Sequence, residues 1–444
     1  MRISIVGTGY VGLVTGLSLA EVGHDVTCID INKEKIRKLN NGLPPIYERG
    51  LEELLIKNIR EKRVKFTVDY KEAYKESDVI FIAVGTPERE DGSANLDFVF
   101  NVSREIARNV EKDTLVVIKS TVPIGTNDRV QEFINENLTK EVKVTVASNP
   151  EFLSQGSAIK DTLNGSRIII GVESKEDEKI LIKVYEEFNQ PIIAVNRRSA
   201  EMIKYASNDF LALKISFINE IANICEIVDA DIEEVTIGMS YDSRIGNKFL
   251  SAGIGYGGSC FPKDTKALHW LANDNGYEIK TIKAAIEVNE NQKLKLFRMA
   301  KKRFGTLRGK KIAVLGLTFK PETDDLREAP SIVNIKRLLD EGANISVFDP
   351  IGNKNLKLYI NEEITLCNKV EEALRNSDLA FIFTEWKEIK NLDLDLFREL
   401  MNTPVVFDGR NCYRLEEVKK YKIDYYSIGR ERILNYCIKN KVGD

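Results

Sequence analysis

The stretch of this chain best equipped for covalent chemistry is Gly253-Ile254-Gly255-Tyr256-Gly257-Gly258-Ser259-Cys260-Phe261-Pro262-Lys263-Asp264. Pro262 suits the first turn of a helix continuing through Trp270, which places Cys260 beside a helix N-terminus and near Lys263. Both neighbours favour the thiolate, the nucleophilic form of cysteine. The glycines would let backbone come close to a ligand. Burial as a small hydrophobe is the alternative fate of a cysteine, and it suits Cys28 and Cys225, which fall on strand-like and helix-like patterns. A second group begins with Gly7-Thr8-Gly9-Tyr10-Val11-Gly12, set between a β-branched run (Ile3 to Val6) and residues of helical spacing (Leu13, Leu17, Ala20). A further strand, Asp25 to Ile29, is closed by Asp30. Glycines at these positions let a pyrophosphate approach the helix N-terminus, and an acid at the end of the second strand accepts hydrogen bonds from ribose hydroxyls. The charge of Asp30 would repel a 2'-phosphate and favours NAD over NADP, while Lys33, Lys35 and Arg37 pull the other way.

A dinucleotide fold joined to an activated thiol points beyond simple alcohol oxidation. A thiol adds to an aldehyde, and the thiohemiacetal can lose hydride to become a thioester that water cleaves to an acid. With one intact dinucleotide fingerprint, two oxidations require NADH to leave and a second NAD to enter.

The elements that must carry these residues form an α/β pattern. Strand-like runs at Val79 to Val84, Leu115 to Lys119, Lys143 to Ala147 and Arg167 to Gly171 alternate with helical stretches such as Leu96 to Val110, which predicts a doubly wound parallel sheet over residues 1–195. From Ser199 to about Ala230 there is neither Gly nor Pro, and Leu211, Ile215, Ile218, Ala222 and Cys225 form one apolar stripe. Extended backwards, the stripe meets Asn208 and Lys204. Either these polar groups face inward for a purpose, or Lys204 lies at a frayed end with its amine in water. The stripe is more apolar than one small domain needs, which predicts a homodimer built on this helix, with burial inside the same chain as the alternative. Residues 196–305 are read as a central helical domain carrying the cysteine loop. Residues 306–444 repeat the first domain: Lys311 to Leu315 then Gly316, Asn344 to Asp349, and Ser377 to Ile382 match Arg2 to Gly7, Asp25 to Asp30, and Ser77 to Ile82. The second copy continues Leu317-Thr318-Phe319-Lys320, without the later glycines, and is not expected to hold a dinucleotide. The predicted architecture is two Rossmann-like domains flanking a helical centre.

The bulk numbers bound the rest. A chain of 444 residues with 43% hydrophobic and 30% charged residues is an ordinary globular composition, long enough for several domains. A net charge of −3 gives nucleic acid or an anionic membrane nothing to bind over long range. Cys28, Cys225, Cys260, Cys367, Cys412 and Cys437 are scattered and the histidines are His24 and His269 alone, so no metal site is expected. Without a signal-peptide pattern or an uninterrupted apolar run of about 18 residues, a soluble cytoplasmic protein with reduced thiols is expected.

Several separate stretches resemble the UDP-glucose/GDP-mannose dehydrogenase family over essentially the whole chain. They are the glycine turn, Gly85-Thr86-Pro87, Ser120-Thr121-Val122-Pro123, Asn149-Pro150-Glu151-Phe152-Leu153, Lys204 with Asn208, Arg244-Ile245-Gly246, the Cys260 loop, Gly316-Leu317-Thr318-Phe319-Lys320, Asp324-Asp325-Leu326-Arg327 and Asp408-Gly409-Arg410. Among its members the resemblance is strongest to those that oxidise UDP-glucose to the uronate with two NAD. The resemblance implies Cys260 as nucleophile, with Lys204 and Asp264 handling protons, Asn208 bonding the reacting oxygen, and Thr121 and Glu151 positioning water and substrate. It implies NAD contacts at Asp30, Lys35, Thr86, Thr121, Gln155, Lys263 and Arg327. The UDP-sugar would lie against Glu151, Phe152, Leu153, Lys204, Asn208, Phe249, Leu250, Ser251, Ala252, Gly253, Gly257, Lys320 and Arg410, with Arg244 reaching in from a neighbouring subunit. Where many members carry glutamate this chain has Gln155, which cannot act as a base, so activation of the hydrolytic water falls to Glu151, Asp264 or a water relay. Alternatives are a GDP-mannose or UDP-N-acetylaminosugar dehydrogenase, the latter opposed by Ser259 and Lys263, and a catalytically silent nucleotide-sugar binding protein.

Overall fold

Apolar runs that carry no charge can form strands covered on both faces, and Val79–Ile82 and Leu379–Ile382 are such runs inside two parallel-dominated sheets. The computed structural model describes residues 1–436; Cys437 and the rest of the 306–444 region lie outside them. The chain divides into two compact units, one of Met1–Ser207 with Lys266–Tyr277, the other of Asn208–Thr265 with the residues from Glu278 onward.

The first unit holds an eight-stranded sheet of β1 (Arg2–Val6), β2 (Asp25–Ile29), β3 (Val64–Thr67), β4 (Val79–Ile82), β5 (Thr114–Ile118), β6 (Val144–Ser148), β7 (Ile168–Gly171) and β8 (Ile192–Val195), in the order β3-β2-β1-β4-β5-β6-β7-β8. All neighbours are parallel except β6 and β7, which meet antiparallel at Ser148 and Gly171. Strands β4 and β5 are buried along their whole length. They stop short of their expected ends at Val84 and Lys119, and the residues past those ends form the turns that later carry the site. The short edge strands β3 and β8 have no counterpart in the sequence reading. Their runs are brief, and β8 keeps two of its four residues exposed, so neither gives a strong periodic signal.

The second unit holds β9 (Lys311–Leu315), β10 (Asn344–Phe348), β11 (Thr365–Cys367), β12 (Leu379–Ile382), β13 (Val405–Asp408), β14 (Asp424–Tyr426) and β15 (Ile433–Leu434), in the order β11-β10-β9-β12-β13-β14-β15. The repeat is a structural one. Val6 pairs with Ile29 in the first sheet as Leu315 pairs with Phe348 in the second, so Asp30 and Asp349 follow equivalent strand ends. In both sheets the strand order reverses beside the first strand, and the crevice beyond the carboxyl ends at such a point is where doubly wound folds bind ligands.

The long helix runs over Arg197–Val228, 32 residues. Ile218, Ala222 and Cys225 from the expected stripe lie in the core of the second unit, packed with Ile254, Leu250 and Ile232, while Leu211 and Ile215 are half-buried. The stripe read as a dimer seam is therefore partly consumed by the chain itself. A different face of the same helix is left open: Phe210, Phe217 and Ile224 are 61%, 47% and 52% exposed. Among the described residues no helix is long and apolar enough to cross a membrane.

Candidate functional site

In the first unit the glycine turn follows β1 and leads into the Tyr10–Glu21 helix. A side chain at Gly12 would run into the Gly7 carbonyl, so the turn cannot close around anything larger. Nothing lies within 4 Å of a Cβ built on Gly9 or Gly85, and the helix has neither a side-chain cap nor an acidic residue in its first turn. An uncapped N-terminus with open space above it suits a pyrophosphate. Asp30 accepts from the Thr8 backbone N–H at 3.0 Å, the Thr8 hydroxyl at 2.7 Å and Lys35 Nζ at 3.0 Å, while its other oxygen takes the Asn32 N–H at 3.0 Å. Burial alone would raise the Asp30 carboxyl, but the hydrogen bonds from Thr8, Asn32 and Lys35 outweigh it and hold the group below its ordinary value. An ionised acid is what ribose hydroxyls need.

In the second copy the equivalent acid has a different surrounding. Asp349 is 2% exposed and is surrounded by donors: Leu317 N at 2.7 Å, Thr318 N at 3.1 Å, Ile351 N at 2.9 Å, Gly352 N at 2.6 Å and Trp386 Nε1 at 3.0 Å. The same acid at the same strand end is spent on closing its own turn.

Beyond the carboxyl ends of β4, β5 and β6 lie Thr86, Lys119-Ser120-Thr121 and Asn149-Pro150-Glu151. The Thr86 hydroxyl donates to the Thr121 carbonyl at 2.8 Å, tying two turns together. Lys204 Nζ donates to Glu151 Oε1 at 2.9 Å, and the other Glu151 oxygen accepts the Leu153 N–H at 2.8 Å. Lys204 is 3% exposed and Glu151 6%, which decides against a frayed lysine end. The Lys204 ammonium also lies 5.4 Å from the Phe152 ring centre.

The second unit carries the thiol. The Cys260 carbonyl accepts the Asp264 N–H at 2.8 Å, so Cys260 sits at the N-terminus of the Phe261–Asp274 helix, and Ser259 Oγ is 3.8 Å from its sulfur. Burial works against the proton of Arg327, but the hydrogen bonds and charge of Asp325, and then Tyr359 and Cys260, outweigh it. That guanidinium and the helix end both favour a thiolate. Asp264 accepts from Asn208 Nδ2 at 2.7 Å and Lys263 Nζ at 2.7 Å. Two of the loop glycines also lie tight against the chain itself: a Cβ at Gly257 would sit 2.5 Å from the Glu328 carbonyl, and one at Gly253 2.9 Å from the Gly409 carbonyl. They let this chain's own loops close on the cysteine loop.

The chain as a whole has counterparts among known proteins. Residues 1–189 match the NAD binding domain of the UDP-glucose/GDP-mannose dehydrogenase family, residues 198–291 its central domain and residues 313–415 its UDP binding domain. The chain belongs to this family. The family member UDP-glucose 6-dehydrogenase YwqF of Bacillus subtilis is 51% identical over 434 residues, covering 98% of this chain and 99% of that one. A UDP-glucose dehydrogenase structure from Pyrobaculum islandicum superposes with a TM-score of 0.91 at 37% identity, covering 97% and 98% of the two chains. A UDP-D-ManNAc dehydrogenase structure from Pyrococcus horikoshii gives 0.86 at 28%, covering 97% and 99%.

Seen as a dehydrogenase of this family, the chain places its other expected site residues as follows. Arg410 donates to the carbonyls of Phe383 at 2.9 Å, Phe319 at 3.1 Å and Gly255 at 3.5 Å, so it clamps the cysteine loop to the second sheet. Gly253 is fixed at both ends of its peptide by Asn219 and Gln292. Phe249 has a left-handed backbone, φ 63°, and its ring lies 6.1 Å from that of Phe261. Leu250 is buried, Ser251 exposed and Ala252 half-buried. Lys320 Nζ lies 5.7 Å from the Phe319 ring. Arg244 is exposed and bonded to Asp242. Two residues that the sequence reading passed over belong with these. Lys119 ends an apolar strand run at the ligand-binding edge. Asp209, next to Asn208, is 2% exposed with neither carboxyl oxygen hydrogen-bonded among the described residues; burial first, and the charge of Asp264 second, push it up to about 8 against the pull of Lys263.

Proposed function

We propose that this protein oxidises the primary alcohol of UDP-glucose to the carboxylate, reducing two NAD, through a thioester on Cys260. The observation that carries the reading is Cys260 at a helix N-terminus within reach of the Arg327 charge, in a chain whose first fold retains an open pyrophosphate turn. Bound NAD supplies the hydride acceptor in each oxidation. The turn from Gly7 through Tyr10 and Val11 to Gly12, with Asp30, Lys35, Thr86, Thr121, Gln155, Lys263 and Arg327, holds it. In the first oxidation Lys204 takes the hydroxyl proton as C6 gives up hydride, leaving an aldehyde. The Cys260 thiolate adds to that carbon; Asn208 and Lys204 steady the resulting oxyanion, which requires donors already aimed at it. Loss of a second hydride converts the thiohemiacetal to a thioester. Water then attacks, with Glu151 accepting its proton, and the thiolate leaves. Asp264, held by Asn208 and Lys263, orients the amide.

The UDP moiety lies against Phe249 to Gly253, Gly257, Lys320 and Arg410. The working modules are residues 1–195, 196–305 and 306–444. The cytoplasm supplies NAD and keeps Cys260 reduced; the described cysteines are all free. The open face of the long helix joins two copies, bringing Arg244 to the partner's sugar nucleotide.

Purified protein given NAD and each nucleotide sugar should form two NADH per UDP-glucose. One NADH per sugar, or turnover with GDP-mannose alone, would refute the assignment. Cys260→Ser should release no uronate; normal acid production by that variant would eliminate the thioester route.

A further inference from the structure

Lysine is almost never buried without a carboxylate partner. Lys119, at the carboxyl end of the fully buried β5, is 7% exposed, and among the described residues it forms no salt bridge. Its ammonium donates to the amide oxygen of Asn149 at 2.8 Å and faces the Tyr185 ring at 5.7 Å. The Asn149 oxygen also accepts the Tyr185 hydroxyl at 2.5 Å, and the Asn149 amide donates to the Ile169 carbonyl at 2.7 Å. Among the described residues its hydrogen-bond partner is therefore neutral, and the charges that act on it are Glu151, which attracts it, and Lys204, which repels it. These are the two members of the buried ion pair described above, and Asn149 stands two residues from Glu151 on the same turn. A structural anchor for Asn149 needs no charge; a glutamine amide could donate to the same oxygen without burying one.

The geometry points to Lys119 as a positioning residue of the Glu151–Lys204 pair: a second buried ammonium that shares the field of Glu151, so that Lys204 holds its proton less tightly and can exchange it with substrate. With one cation, the carboxylate would lock the Lys204 proton in a closed pair. With two, like-charge repulsion offsets part of that attraction. Burial also drives the Lys119 ammonium down to about 8, with Glu151 opposing and Lys204 adding to the fall, so its charge is present at neutral pH and lost above it. The titratable groups facing it are Glu151 from the turn after β6, Lys204 from the long helix and Tyr185 from the helix before β8.

The inference rests on the role proposed for Lys204, and its test has an arm independent of turnover. Lys119→Met removes the charge at similar length, Lys119→Gln is a second neutral variant should the first fail to fold, and Lys119→Arg keeps a permanent charge. In protein labelled with 13C at lysine Cε, with the Lys204 signal assigned by its loss in Lys204→Arg, the neutral variants should titrate Lys204 about one pH unit higher than wild type. In turnover with UDP-glucose and NAD, the acidic limb of the kcat profile should move up by a similar amount. kcat at pH 7 should fall roughly tenfold and recover by pH 9, with KM changed little and two NADH still formed per sugar. Lys119→Arg should stay near wild type at pH 7. An unmoved Lys204 titration in the neutral variants overturns the inference, as does a kcat loss equal at every pH, which would mark Lys119 as structural. Wild-type protein inactive on UDP-glucose with a Lys204 titration that does shift would refute the assigned reaction and leave the role of Lys119 standing.

Discussion

At the scale of single residues, Asp209 shows what the Cys260 neighbourhood costs. Its carboxyl is buried without a hydrogen bond among the described residues and is pushed up to about 8 from an ordinary 3.8, by burial first and Asp264 second, with Lys263 opposing and Tyr256 alongside. Between about pH 4 and 8 the unfolded chain carries this group ionised and the folded protein carries it neutral. Folding then takes up a proton, so the stability it permits at low pH is lost as pH rises toward 8. Asp209→Asn abolishes the titration at nearly constant shape. Urea unfolding of both proteins at pH 5, 7 and 9 should show the variant gaining on wild type from 5 to 7, by an amount on the order of a few kcal/mol, then little more above 8. A difference independent of pH would show that Asp209 is ionised in the fold. The sequence made Cys260, Lys204, Asn208 and Asp264 legible because each stood in a motif or on a stripe. Asp209 and Lys119 were not legible: a charged residue beside an apolar run reads as a solvated end, and only the packing around it says otherwise.

At the scale of elements, the same strand-turn-helix unit occurs twice with opposite outcomes. Asp30 keeps an ionised oxygen pair beside an open turn, whereas Asp349 is enclosed by five N–H donors from its own loops and Trp386. Replacing Asp30 by Ala should weaken NAD binding by about tenfold or more, read by calorimetry, because ribose hydroxyls lose a charged acceptor. Replacing Asp349 by Ala should leave NAD affinity alone and lower stability by about 3 kcal/mol or more, since several buried N–H groups lose their acceptor together. If Asp349→Ala weakened NAD binding instead, the division of labour between the folds would be wrong. The duplication itself was visible in matched runs such as Asn344 to Asp349 against Asp25 to Asp30. The fate of the second acid was not, because identical residues at identical strand ends differ here only in what encloses them.

At the scale of the whole molecule, what matters is the face of the long helix that no described part of the chain covers. Phe210, Phe217 and Ile224 recur every seven residues, so they share one face, and Ile237 of the following helix and Tyr241, just past its end, are 59% and 87% exposed. A self-complementary apolar stripe suits an isologous interface between two copies. Periodicity located an apolar stripe on this helix but could not say which side the chain would fold over; Ile218, Ala222 and Cys225 went inward, and the neighbouring face remained. Phe217→Glu should therefore split the dimer proposed above into monomers in light scattering, and a variant that stays dimeric would place the interface elsewhere. The exposed Arg244 permits a sharper test. Cys260→Ser and Arg244→Ala should each be severely impaired as homodimers. Unfolded and refolded together, half of the dimers are mixed. In each mixed dimer one of the two sites combines an intact Cys260 from one copy with Arg244 from the other. Activity should then recover to about a quarter of wild type if Arg244 serves its partner's site. If Arg244 serves its own chain, no mixed dimer contains an intact site, and the mixture stays as weak as its parents.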